Sequence, residues 1–222
     1  MQRLGFAAAA SGDIWPHAYG VVACEGFAIG LHASGEERLS LVFVRPDVAT
    51  LERELTARFI EVERAQLGSD VFNELTLREP GGMLLRVIGA RTFSPPPELP
   101  ERTALGRCRG LSLPCADLAE ARGFWERLDL DVRAGEVPWD SISVQGLPLA
   151  GHHSADFKEP VLLFDGAGAW DEDTLRAAGL TIERPVAAWR GHPHRLLRGV
   201  EGLAMIAPRT ATRRPRKQRG SG

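Results

Sequence analysis

The chain has 222 residues, 44% hydrophobic and 25% charged, with a formal net charge of −2, which is the composition of a globular protein with room for one large or two small domains. No apolar run approaches the length of a membrane span, and the short apolar stretch after Arg3 is too brief for a secretory signal, so the N-terminus reads as structure. Three cysteines, Cys24, Cys108 and Cys115, none in a CxxC pair, indicate neither a disulfide framework nor a zinc knuckle and point to the reducing cytoplasm.

Residues 4 to 34 read as short strands, HAYGVVAC and FAIGLHAS among them, up to a turn at Gly35. Residues 39 to 59 read as a strand, then Asp47, then a helix with Val48, Leu51, Leu55 and Phe59 on one side. Strands over IEVERAQL, VFNELTLREP and, after Gly81-Gly82, MLLRVIGA follow. A proline-rich linker, residues 94 to 104, separates this part, 1–93, from a second, 105–208.

Residues 111 to 128, LSLPCADLAEARGFWERL, are the clearest stretch: a strand, a helix start at Asp117 with Glu120 three residues on, and an apolar face of Leu118, Ala121, Phe124, Trp125 and Leu128. Strands LDVRAGEV, WDSISVQG and LPLAGHHS come next, then PVLLFDG, a short helix ending at Gly179, and strands TIERPVAAW, HRLLRGV and LAMIA. The repeating unit is therefore βαβββ, present three times in full. FAIGLHAS laid on LPLAGHHS matches His32 to His152 and Ser34 to Ser154, so the first 34 residues read as a fourth unit lacking its leading strand and helix. The class is α+β.

The last fourteen residues hold six basic residues and no acid, while the rest has 21 Lys and Arg against 29 Asp and Glu. Segment 209–222 is expected to be a disordered basic tail. Nucleic-acid binding through it is the disfavoured reading against a solvated terminus.

GFWERLDLDV, REPGGMLLRV and the Leu4-Gly5-Phe6 segment resemble, in degenerate form, motifs of the vicinal oxygen chelate superfamily of glyoxalases, bleomycin-resistance proteins and extradiol dioxygenases. The resemblance spans residues 4 to 207. It implies two half-open, barrel-like sheets, each built from two βαβββ modules around a cavity, with the helices outside. It also implies metal ligands on the first and fourth strands of modules. Those positions fall here near Gly110, near Arg38 or Ser40, at Arg86 and near Ile206, none of which suits a divalent cation, and Arg86 would repel one. Displaced ligands at His152 and Glu159 are the alternative, since a strand's period of two puts His152, like His32, on the cavity-facing side as a candidate ligand-binding residue, although His152-His153 and His192-Pro-His194 sit near turns where histidine is commonly only solvated.

The sequence holds no GxSxG, P-loop or GxGxxG, and Gly166-Ala-Gly168 lacks the rest of a dinucleotide site, so no catalytic residue is assigned. Ser141 and Ser143 share a strand face with Trp139 and Gln145, either lining the second cavity or forming an ordinary exposed face. Arg86 is expected on the cavity side of its strand near His32, either anchoring a carboxylate or phosphate or paired with Glu74 to close the sheet.

The resulting expectation is a binder of a small, partly apolar organic anion without metal or other cofactor. The alternative is a metal-dependent lyase, isomerase or ring-cleaving dioxygenase. The incomplete first module leaves an edge that calls for a homodimer partner or an upstream segment.

Overall fold

The computed structural model describes residues 1–9, 17–33, 39–90, 98–166, 170–199 and 202–209. Ser34, Gly35, Arg38, residues 94–97 of the proline-rich linker, Ala167-Gly168 and the tail from Thr210 lie outside these. Among the described residues no helix is long and apolar enough to cross a membrane.

After a single 3-10 turn at Gln2–Leu4 come β1 (Ala7–Ala9), β2 (Tyr19–Cys24) and β3 (Phe27–His32), an antiparallel sheet of order β1-β2-β3. The second module is β4 (Ser40–Arg45), α1 (Val48–Ala57), β5 (Arg64–Gln66), β6 (Glu74–Arg78) and β7 (Leu84–Gly89), in sheet order β4-β7-β6-β5. The third is β8 (Arg107–Cys115), α2 (Leu118–Arg127), β9 (Val132–Ala134), β10 (Ile142–Val144) and β11 (Leu149–His153). The fourth is β12 (Val161–Asp165), α3 (Glu172–Ala177), β13 (Thr181–Trp189), β14 (His192–Arg198) and β15 (Ala204–Pro208).

Each complete module pairs its leading strand in parallel with its last one: β4 with β7, β8 with β11, β12 with β15. In the second half the leading strands β8 and β12 also pair, antiparallel, and fuse two modules into one sheet of order β13-β14-β15-β12-β8-β11-β10-β9. In the first half no such junction exists among the described residues, because the first module has no leading strand, and β3 and β4 belong to separate sheets. All three sheets are open. Pro185, which has no N–H to donate, is accommodated in β13 because that strand is an edge.

All three helices begin on an aspartate, as the sequence indicates for Asp47 and Asp117. Asp47, Asp117 and Asp171 accept backbone N–H groups of the first turn, from Thr50, from Ala119 and Glu120, and from Thr174, each such cap being worth about 1 kcal/mol. After each helix, one residue takes a left-handed conformation to turn the chain: Phe59 (φ 55), Asp129 (φ 62) and Gly179 (φ 77), with Gly5 (φ 92) equivalent after the 3-10 turn. The repeat is thus visible in backbone torsion where residue identity has drifted. Phe59 carries a β-carbon at this position and leaves its ring 94% exposed.

One hydrophobic core runs through both halves, joining Leu55, Leu75, Leu77 and Leu85 of the second module to Leu113, Phe124, Trp125, Phe164 and Leu197. It lies on the helix-bearing side of the sheets, and alternation sends the intervening residues to the opposite, inner side. The halves are also joined by the Ala104 N–H to the carbonyl of Leu4, at 2.6 Å, and by the edge-to-face rings of Phe6 and Phe164.

Candidate functional site

The inner faces of the two halves differ. In the first half, Thr76 pairs with Arg86 on one side and Arg64 on the other, and Arg86 pairs with Val42. This row, with Glu74 and Leu84 beside it, points away from α1. Arg86 donates Nε to Oε1 of Glu74 at 2.7 Å and Nη2 to Oε2 at 2.9 Å, a bidentate pair whose side chains are 28% and 19% exposed. Of the two roles open to Arg86 in the sequence, the structure contains the pairing with Glu74, which fixes the plane of the guanidinium. Arg64 donates to Oε1 of Gln66 at 3.1 Å. Arg78, two residues on from Thr76 and the partner of Leu84, lies on the same face bound to both carboxylate oxygens of Glu63, so three guanidinium groups share this face, two of them ion-paired, with Val42 nearly half exposed among them.

On the facing sheet, Tyr19 and His32 are cross-strand partners with rings stacked at 5.5 Å and 13°. Nδ1 of His32 lies 3.0 Å from Nε2 of His17, one nitrogen donating and the other accepting. The His32 pKa is held below the ordinary imidazole value by partial desolvation first, then by His17, then by the positive charge of Arg86. His32 and Arg86 thus stand on separate sheets, near enough for the charge of one to act on the other. His17, Tyr19 and Arg64 were not singled out in the sequence; the strand alternation that exposes Arg86 carries Arg64 with it.

In the second half the inner face is filled. Val137, Trp139, Phe157, Val161, Leu163, Leu196, Ala204 and Ile206 form a separate apolar cluster on the side away from α2 and α3. Ser112, His152 and His194 are buried in it. Since the carbonyl of Phe157 can only accept, Nε2 of His152 donates to it (3.0 Å), and Nδ1 accepts from the Ser112 hydroxyl (2.8 Å). Burial lowers the His152 pKa and keeps this ring neutral. His194 donates Nδ1 to the carbonyl of His192 at 2.9 Å and packs against the Trp139 ring at 4.5 Å. His152 and His194 are thus interior residues, which corrects their reading as solvated turn histidines: each alternates in strand register with inward neighbours, His194 with Leu196 and His152 with Ala150. Trp139 is 4% exposed, a core side chain rather than a lining one. Ser141 is half-buried, its N–H bonded to the Gly151 carbonyl at 2.6 Å, while Ser143 and Gln145 border a small pocket at the rim.

The residues at the metal positions implied by the resemblance do not fit a cation. Gly110 and Ile206 flank Leu163 on the second inner face, and neither side chain carries a donor atom. In the first half Arg86 brings a positive charge. The alternative pair is also committed elsewhere: both ring nitrogens of His152 are bonded within the protein, and Glu159 is bound to Arg198, which Glu183 also holds. Among the described residues no three His, Cys, Asp or Glu side chains gather as a metal site would require.

No protein-family model matches the sequence, and no curated protein does. The fold, however, is similar to solved structures. A catechol 2,3-dioxygenase superposes with a TM-score of 0.55 at 14% identity, over 96% of this chain and 83% of that one. A 2,2',3-trihydroxybiphenyl 1,2-dioxygenase from Sphingomonas wittichii strain RW1 gives 0.58 at 13%, over 93% and 82%. A Mn(II)-bound glyoxalase from Novosphingobium aromaticivorans gives 0.53 at 11%, over 92% and 74%.

Proposed function

We infer, for a chain that has the fold of the vicinal oxygen chelate superfamily, that it binds a small, partly apolar organic anion on the inner face of its first half. The observation that carries this reading is the Arg86 guanidinium, held flat by Glu74 beside the His32 ring on a face that also presents Arg64 and Val42. Planar, fixed donors with a net positive charge suit a carboxylate, and Val42, Leu84 and Tyr19 suit an apolar body. Glu74 then acts as a positioning residue. We take residues 1–93 and 105–208 as the two working units, the first binding and the second supporting.

Titration with benzoate and hexanoate, each against its uncharged amide, tests the reading. The wild-type protein is expected to prefer the carboxylates, and Arg86→Met to weaken them at least tenfold. That variant also strands the Glu74 carboxylate and should lose about 1–3 kcal/mol of stability. Adding Glu74→Leu should restore stability but not binding. Carboxylate affinity unchanged by Arg86→Met would sink the proposal, whatever the stability shows.

A second copy of the chain is proposed to cover the outer edges of β3 and β4, where Leu31 and Leu39 are exposed. Sedimentation equilibrium should then give twice the chain mass; a monomer at micromolar concentration would remove this part of the reading.

A further inference from the structure

Cys24 closes β2 in the first half, and Cys108 lies near the start of β8 in the second. Strand register brings the two side chains together. Ala7 pairs with Ala23, which sets Phe6 opposite Cys24, and Phe164 pairs directly with Cys108. Partners across a ladder point to the same side of their sheet, and the Phe6 and Phe164 rings meet edge to face with centroids 6.4 Å apart. Their cysteine partners pack into the same core, with Cys24 1% exposed, Cys108 partly open to solvent and the two thiols within hydrogen-bonding reach of one another. The backbone is also held at this seam, where the Glu25 N–H donates to the Pro100 carbonyl at 3.0 Å.

The β1-β2-β3 sheet has no leading strand and no ladder to either other sheet among the described residues, so it is joined to the second half by these few contacts. A covalent link here would fasten it. We propose that Cys24 and Cys108 form a redox-sensitive clamp, a reversible disulfide made by hydrogen peroxide and broken by small thiols, that ties the first sheet to the second half. The clamp does not depend on anion binding by the first half.

The Cys24 sulfur, as thiolate, attacks one peroxide oxygen; the O–O bond breaks, hydroxide leaves and takes up the proton that Cys24 released, and Cys24 becomes a sulfenic acid. Cys108 then attacks that sulfur, the S–O bond breaks, and the oxygen departs with the Cys108 proton as a second water. Two thiols are oxidised and one peroxide is reduced. The order of events follows from the pair itself, because the Cys108 S–H donates to Cys24, which lowers the Cys24 pKa against the opposing effect of burial and raises that of Cys108. Cys115, at the other end of β8, is buried, which pushes its thiol up to about 11 and keeps it out of the reaction.

Treating the reduced chain with excess hydrogen peroxide tests the clamp. The intact mass should fall by two hydrogens, a non-reducing digest should show the Cys24 and Cys108 peptides linked, and the melting temperature should rise by several degrees, all reversed by dithiothreitol. Cys24→Ser and Cys108→Ser, with folding checked by circular dichroism, should show none of these changes, and in Cys108→Ser dimedone should trap the Cys24 sulfenic acid. The digest of the wild-type chain decides the link even where a variant misfolds. Three thiols still titratable in denaturant after peroxide, a link through Cys115 or between two chains, or a linked protein that melts no higher than the reduced one would overturn the proposal.

Discussion

Gly110→Ala is expected to lower the unfolding free energy by on the order of 4 kcal/mol, measured by urea denaturation followed by circular dichroism. Two costs combine. Gly110 has φ of 120, a conformation that an L-residue adopts only under strain, and an added β-carbon would overlap the carbonyl oxygen of Pro148, which belongs to the backbone and cannot swing aside. The same backbone departs from regular pairing here, since the Leu111 N–H bonds to that carbonyl at 2.9 Å. The consequence reaches beyond stability. Gly110 is where the resemblance would place a metal-binding histidine, so Gly110→His should give an unstable protein rather than a restored site. A Gly110→Ala protein as stable as the wild type would show that this backbone can relax and that the position is open to a side chain.

Trp139→Ala should cost about 4 kcal/mol, because a fully packed indole is replaced by a cavity among Phe157, Leu163 and Ile206. Trp139→Phe is expected to stay within about 1 kcal/mol of wild type, since the indole Nε1 has no hydrogen-bond partner among the described residues and removing it offsets part of the lost contact. The pair of results discriminates a core role from a ligand-lining one. If Trp139 lined an open site, truncation to alanine would leave thermal unfolding almost unmoved.

The repeat was legible because each module is written in signals of short range. Alternation marks the strands, and an aspartate starts each helix, so Asp47 and Asp117 appear in the structure as they read in the sequence, and Asp171 opens the third helix in the same way. The face on which Arg86 lies was legible for the same reason. Alternation could not say whether its partner would be a ligand or Glu74, because the cross-strand diagonal that joins them depends on the β6–β7 register. The filled inner face of the second half was harder to read. Its cluster combines strand residues with Val137, Trp139 and Phe157 from loops, and no periodicity shows where a loop will pack. For His152 alternation pointed to the inner side of its strand, but proximity to a turn, which suggested solvation for His152 and His194, gave no sign that this face would be filled. Gly110 lies inside β8, whose sequence-readable part began only at Leu111.

The left-handed residue that follows each helix bears on how far this chain sits from its own stability optimum. Two of its four positions hold glycine and one holds aspartate, a short residue that tolerates the conformation, while Phe59 combines the torsional cost with an aromatic ring in water. Phe59→Gly should therefore raise the melting temperature, by the equivalent of about 1 kcal/mol, and improve solubility in the same step. A lowered melting temperature would mean that the ring is held by contacts that its 94% exposure does not reveal. Local strain kept at a surface aromatic, where three sister modules manage without it, marks Phe59 as the place where a directed-evolution screen for thermostability should find its earliest gain.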